Sequence, residues 1–143
     1  MTDKFIQALL NGDFETASSM VSGGASVDNA YGETGWTPLH FMAENRALES
    51  ARWLLPHGAD PNKADVSGWT PLHLAIDAEG DCAGQEYVRT GVLSMSGEMV
   101  RLLLAHGADA NALTRNGKTP LRIAIFYRHT AAADILREYG GHE

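Results

Sequence analysis

A tetrapeptide that returns at fixed spacing constrains this chain more than any other feature. Thr37-Pro38-Leu39-His40 recurs as Thr70-Pro71-Leu72-His73, 33 residues later, and as Thr119-Pro120-Leu121-Arg122 after a further 49. The second interval exceeds the first by 16 residues. A second marker keeps step: Gly24-Ala25-Ser26, Gly58-Ala59-Asp60, Gly107-Ala108-Asp109 and a degraded Gly140-Gly141-His142. Such a chain builds its core by stacking neighbouring units, because no unit buries its apolar face alone.

The residue types have mechanical meaning. Thr suits a helix N-cap, where its hydroxyl accepts from an orphan backbone N–H. Pro suits the first helical position, where no donor is missed. His two positions later can reach back to the cap, as the acid of a capping box does. Each tetrapeptide therefore starts a helix. The stretches Leu48 to His57 and Glu98 to His106 read as second helices closed by Gly58 and Gly107. Met99, Val100, Leu102, Leu103 and Leu104 form one apolar stripe at helical spacing. Asp60-Pro61-Asn62, Asp65 and Gly68 supply turn chemistry between units.

A unit of turn, helix, loop, helix and Gly with a Thr-Pro-Leu-His start resembles the ankyrin repeat. The resemblance covers nearly all 143 residues. It implies an all-α ankyrin-repeat solenoid, with helix-turn-helix units joined by short β-turns or hairpins. We expect one domain over residues 1–143, in units of about 1–34, 35–67, 68–116 and 117–143. In the first, Phe5, Ile6, Ala8 and Leu9 form the inner helix and Phe14, Ala17, Met20 and Val21 the outer one.

Three departures stand out. Met42 takes a slot where the family has a small residue, which Met's pliable side chain tolerates. Arg122 replaces the signature His, and a cation near a helix start is unfavourable unless compensated. The third unit carries an insertion over residues 81–96, expected between its helices with Gly84, Gly91 and Gly97 as breaks. Its Tyr87, Val88, Val92, Leu93 and Met95 suit either packing back on the array or contact with a partner.

Other chemistries find little support. Eleven cations against 18 carboxylates give a net charge of −7, which disfavours a nucleic-acid surface. No apolar run reaches the ~18 residues of a membrane span, and the first residues lack a signal-peptide pattern. With the single Cys82, these features make a reducing, cytoplasmic setting the expectation. Of six histidines, His40 and His73 are caps, His57 and His106 end helices, His129 lies between helices and His142 lies near the end. That scatter offers no convergent metal ligands. No nucleophile elbow or phosphate loop appears, and we expect no catalysis, cofactor or metal.

Trp36 and Trp69 share one slot, 33 residues apart, before the Thr-Pro step. Lys118 takes that slot in the last unit. The resemblance places the slot on the concave groove, together with Glu44, Asn45, Asp77, Phe126 and Tyr127 after the inner helices. It adds the hairpin tips Glu33, Val66 and Arg115. Within the insertion, Tyr87 and Arg89 are further candidates. Trp and Tyr dominate interface hot spots; the alternative is that the two Trp rings merely shield neighbouring hairpins. Trp53, beside Leu54 and Leu55, reads as packing between repeats. The expectation is a monomeric protein-binding module, an adaptor or an inhibitor or immunity protein. The acidic groups Glu33, Glu44, Asp77 and Glu79 favour a partner with a basic patch, or serve only solubility. Rival readings are an enzyme or metal-dependent regulator, and a self-assembling structural repeat protein.

Overall fold

The computed structural model describes residues 3–90 and 97–143, with side chains left out for 81–90. Among the described residues the chain forms eight helices in four pairs. They are α1 (Lys4–Leu10) and α2 (Phe14–Ser22), α3 (Pro38–Glu44) and α4 (Leu48–Leu54), α5 (Pro71–Thr90) and α6 (Glu98–Ala105), and α7 (Pro120–Phe126) and α8 (Thr130–Glu138). The inner helices α1, α3, α5 and α7 pack in sequence, and each touches its own partner helix. The chain is thus an all-α repeat solenoid. Its core runs from Phe5 and Leu9 through Leu39, Leu54, Leu72 and Leu103 to Leu121 and Leu136, all buried. Met42 is fully buried within it.

The signature residues build both the helix starts and the joints between repeats. The Thr37 N–H donates to His40 Nδ1 at 3.1 Å, and Thr37 Oγ1 lies 2.8 Å from the same nitrogen. With Nδ1 accepting, Nε2 carries the proton and donates to the Trp69 carbonyl at 2.9 Å. His73 repeats this, with Thr70 at 3.1 Å and the Ala112 carbonyl at 3.0 Å. Each imidazole therefore caps its helix and fastens the next hairpin. Burial holds both below their ordinary pKa, because a charged ring would lose its water.

Three hairpins line the same edge. They close through Tyr31 N to Trp36 O at 2.8 Å, Asp65 N to Trp69 O at 2.8 Å, and Thr114 N to Lys118 O at 3.0 Å. The Val66 N–H donates to the Thr34 carbonyl and the Arg115 N–H to the Ser67 carbonyl, both at 3.0 Å. Gly68 permits the second of these joints: its φ is +78°, and a Cβ there would lie 2.7 Å from Arg115 N. On the opposite edge Asn62 bridges Gly107 and Asp109, and Asn111 bridges Gly140 and His142.

The insertion corrects one expectation. Residues 81–90 are not a loop, because α5 continues through them to Thr90. They contain no Pro, and one Gly inside a helix costs only about 1 kcal/mol. Gly84 is therefore not a break, whereas Gly97 is: it caps α6 at φ 74°. Gly91 and residues 92–96 lie outside the described residues. The second helices also stop short of the expected His57 and His106, at Leu54 and Ala105. Both imidazoles instead donate back to carbonyls four residues earlier, Trp53 at 2.6 Å and Leu102 at 2.9 Å.

Glu79 also departs from expectation. It is 7% exposed and takes no part in an acidic surface. Its carboxylate accepts from the Gly97 N–H at 3.2 Å and lies 2.5 Å from Nε2 of the buried His129. His129 in turn caps α8 by accepting from the Ala132 N–H at 3.1 Å. One carboxylate thus ties the long inner helix to the starts of α6 and α8.

Candidate functional site

The hairpins and inner helices present two clefts on one face. The first, of about 360 Å³, is lined by Asp3, Ile6, Tyr31, Gly32, Glu33, Thr34 and Phe41. The second, of about 280 Å³, is lined by Trp69, Asp77, Lys118, Arg122, Ile123, Phe126 and Tyr127. Five of these seven, Trp69, Asp77, Lys118, Phe126 and Tyr127, are sequence candidates for partner contact.

In the second cleft Phe126 is 79% exposed, the most exposed of the large apolar side chains described. It meets Tyr127 edge-on, with centroids 5.1 Å apart. Tyr127 is held from two sides. Its hydroxyl donates to Asp77 Oδ1 at 2.6 Å. Its ring lies so close to Gly80 that a Cβ there would be 2.3 Å from Tyr127 Cγ. Asp77 thus spends one oxygen on the tyrosine. Lys118 and Arg122 are exposed and form no ion pair among the described residues. The Thr119 cap persists without a signature His, because Thr119 Oγ1 accepts from the Arg122 N–H at 3.2 Å.

The two tryptophans sit differently. Trp36 donates from Nε1 to Asp65 Oδ2 at 3.0 Å and lies parallel to His40, with centroids 6.4 Å apart. Phe41 meets it edge-on at 5.2 Å. Asp65 Oδ1 meanwhile accepts from the backbone of Ser67 at 2.8 Å and Trp69 at 2.9 Å. Trp69 is half-buried above His73, and no acceptor among the described residues meets its indole N–H. The reason is legible in the hairpins. Thr114 occupies in the third hairpin the position that Asp65 has in the second, and its hydroxyl accepts from the Lys118 N–H at 3.1 Å.

The remaining candidates spread along the same face. Glu33, Glu44 and Arg115 are exposed, and Val66 is 54% exposed at its hairpin tip. Asn45 closes α3 by donating to the Phe41 carbonyl at 2.8 Å. The side chains of Tyr87 and Arg89, like that of Cys82, lie outside the described residues. Trp53 packs between repeats, parallel to Phe14 at 6.0 Å and edge-on to Phe5 at 6.4 Å.

Charge is unevenly distributed along the array. Residues 1–34 carry one cation, Lys4, against five carboxylates. Residues 117–143 carry four cations against three carboxylates. The first cleft is accordingly anionic, with Asp3 and Glu33 on its wall. Burial and then the Asp3 carboxylate raise the pKa of Tyr31 there. Among the described residues the second cleft has two cations and one occupied carboxylate, so the −7 of the whole chain does not describe it.

A stack of paired helices with an aromatic, mixed-charge face is a binding scaffold of the repeat-solenoid class. Residues 5–90 and 91–143 match the family model for ankyrin repeats in three copies, and the chain belongs to that family. Ankyrin repeats are protein–protein interaction modules. The chain is 39% identical over 56 residues to the human 2-5A-dependent ribonuclease, covering 39% of this chain and 8% of that protein. It is 37% identical over 59 residues to mouse protein phosphatase 1 regulatory subunit 27, covering 41% and 38%. A third relative, from Carollia perspicillata, is the ankyrin repeat, SAM and basic leucine zipper domain-containing protein 1, 37% identical over 60 residues, covering 42% and 12%. The matches thus span well under half of each relative. No described helix is long and apolar enough to cross a membrane.

Proposed function

We propose that this chain is a non-catalytic protein-binding module that engages its partner on the face formed by its hairpins and inner helices. It acts as an adaptor, or as an inhibitor or immunity protein that occludes the partner. The observation that carries this reading is the exposed Phe126 beside Tyr127 and Trp69, in a cleft framed by two cations that form no ion pair among the described residues. Large rigid rings bury area on docking with little loss of side-chain freedom. The scaffold beneath them is ordered before the partner arrives. The same reading takes the four units as 1–34, 35–67, 68–116 and 117–143, the free chain as a monomer and the setting as cytoplasmic. A basic patch on the partner suits the anionic first cleft, around Asp3 and Glu33.

Immobilised wild-type protein and a Phe126→Ser variant test the reading side by side in lysate of the native cell. The expected result is a protein retained by the wild type and lost by the variant, with both melting at the same temperature. Equal retention by the two would remove the groove from the mechanism.

A further inference from the structure

We infer that the second cleft takes an acidic side chain of a partner protein segment, with an apolar neighbour of that acid covering Phe126. This rests on the proposed groove function and specifies its chemistry. The second and third hairpins set a donor and an acceptor side by side in one case and not in the other. Trp36 finds its carboxylate within the chain, in Asp65. Trp69 occupies the same slot, but Thr114 stands where that carboxylate would be, and the indole N–H is left without an acceptor among the described residues. A partner's Asp or Glu supplies what Thr114 does not.

The walls point the same way. Lys118 and Arg122 bring two positive charges with no ion pair among the described residues. Asp77, the only carboxylate among the described residues that line the cleft, already accepts from Tyr127. Charge complementarity therefore selects an anion, and Arg122 offers it a fork of N–H donors. The floor of Ile123, Phe126 and Tyr127 is apolar and requires an adjacent aliphatic or aromatic group. An acid next to such a residue satisfies both halves of the site.

The test uses random dodecapeptides displayed on phage and selected on the whole chain. Enriched sequences are expected to hold Asp or Glu beside Phe, Leu or Trp. The recovered peptides, made synthetically, are expected to lose at least tenfold in affinity on Lys118→Glu with Arg122→Glu. They should lose a few-fold on Trp69→Phe, which removes only the indole donor. Raising salt should weaken them, and swapping their acid for Gln should match the loss on charge reversal. Peptides that depend on Phe126 but not on these charges overturn the inference and leave the groove reading standing. Peptides indifferent to Phe126→Ser as well, or no enriched peptides at all, overturn both. If light scattering shows the free chain dimerising through Lys118 and Arg122, its own acids fill the cleft and the partner assignment fails. All three substituted cleft residues apart from Trp69 are exposed, and equal melting temperatures confirm that the variants fold.

Discussion

Trp36 and Trp69 are the same residue in the same slot of adjacent repeats, yet they face different demands. Trp36 is tied by Asp65, lies parallel to His40 and is walled by Phe41. Trp69 rests on His73 and lines an open cleft with Phe126 and Tyr127. Position 65 takes an acid and position 114 a threonine, and that difference leaves one indole braced within the chain and the other lining an open cleft. A repeat fold makes such divergence cheap, because the slot is held by its neighbours whatever occupies it.

The largest effect should separate the two rings by stability. Trp36→Ala removes the packing against His40 and Phe41 and takes the indole donor from Asp65 Oδ2, and is expected to cost about 3 kcal/mol. Trp69→Ala is expected to cost about half as much, because it breaks no side-chain hydrogen bond among the described residues. Urea melts of both variants decide it. Equal losses would show that the Asp65 contact contributes nothing and that both rings serve one purpose.

The imidazoles are what the two repeats share, and they give the next effect. His40 and His73 are neutral in the fold, with burial holding each below the ordinary value of 6.5. The unfolded chain takes up protons near that value, so below it the unfolded state binds more protons than the folded one. Stability is therefore expected to be complete above about pH 7 and to decline as pH falls toward 5. His73→Gln should flatten that slope in melts taken across the range. A slope unchanged in the variant would assign the acid sensitivity to carboxylates instead.

These elements also mark what the sequence discloses. The Thr-Pro steps at 37, 70 and 119 place the starts of α3, α5 and α7, because cap and N1 chemistry is local. The long-range roles are hidden. Nothing near His40 says that its second nitrogen fastens Trp69, 29 residues on. Glu79 reads as a surface acid until His129, 50 residues away, is brought beside it. The continuation of α5 through residues 81–90 lacks a boundary signal, since a lone Gly84 stops a helix only weakly. By contrast, the difference between the tryptophans could have been found from sequence. It required aligning the hairpins and reading Thr114 against Asp65, rather than comparing the tryptophans themselves.

That alignment supplies a converse experiment. Thr114→Asp would give the third hairpin the acid of the second. The new carboxylate is expected to accept from the Lys118 backbone, as Asp65 does from Trp69, and to reach the Trp69 indole. A stability gain of about 1 kcal/mol should follow, with a downfield shift of the Trp69 Nε1–H resonance. Acidic segments should then bind about tenfold more weakly, because the cleft already contains its anion. A variant that still bound them at full strength would show that Trp69 and Thr114 do not govern the site.

The smallest effect lies where the second and fourth pairs turn between helices. Arg46 and Arg128 hold φ of 55° and 56° there, a left-handed conformation that costs a side-chain-bearing residue about 1 kcal/mol. At the equivalent point of the third pair α5 continues as helix. Arg46→Asn is expected to raise stability by about 0.5 kcal/mol, since Asn tolerates this conformation and adds none of the unfolded-state freedom of Gly. Arg46→Ala keeps the strain and should give no gain, which separates backbone relief from loss of charge. The same pair of changes at Arg128 should behave alike. Equal gains from Ala and Asn would trace the effect to the arginine's charge and not to its backbone.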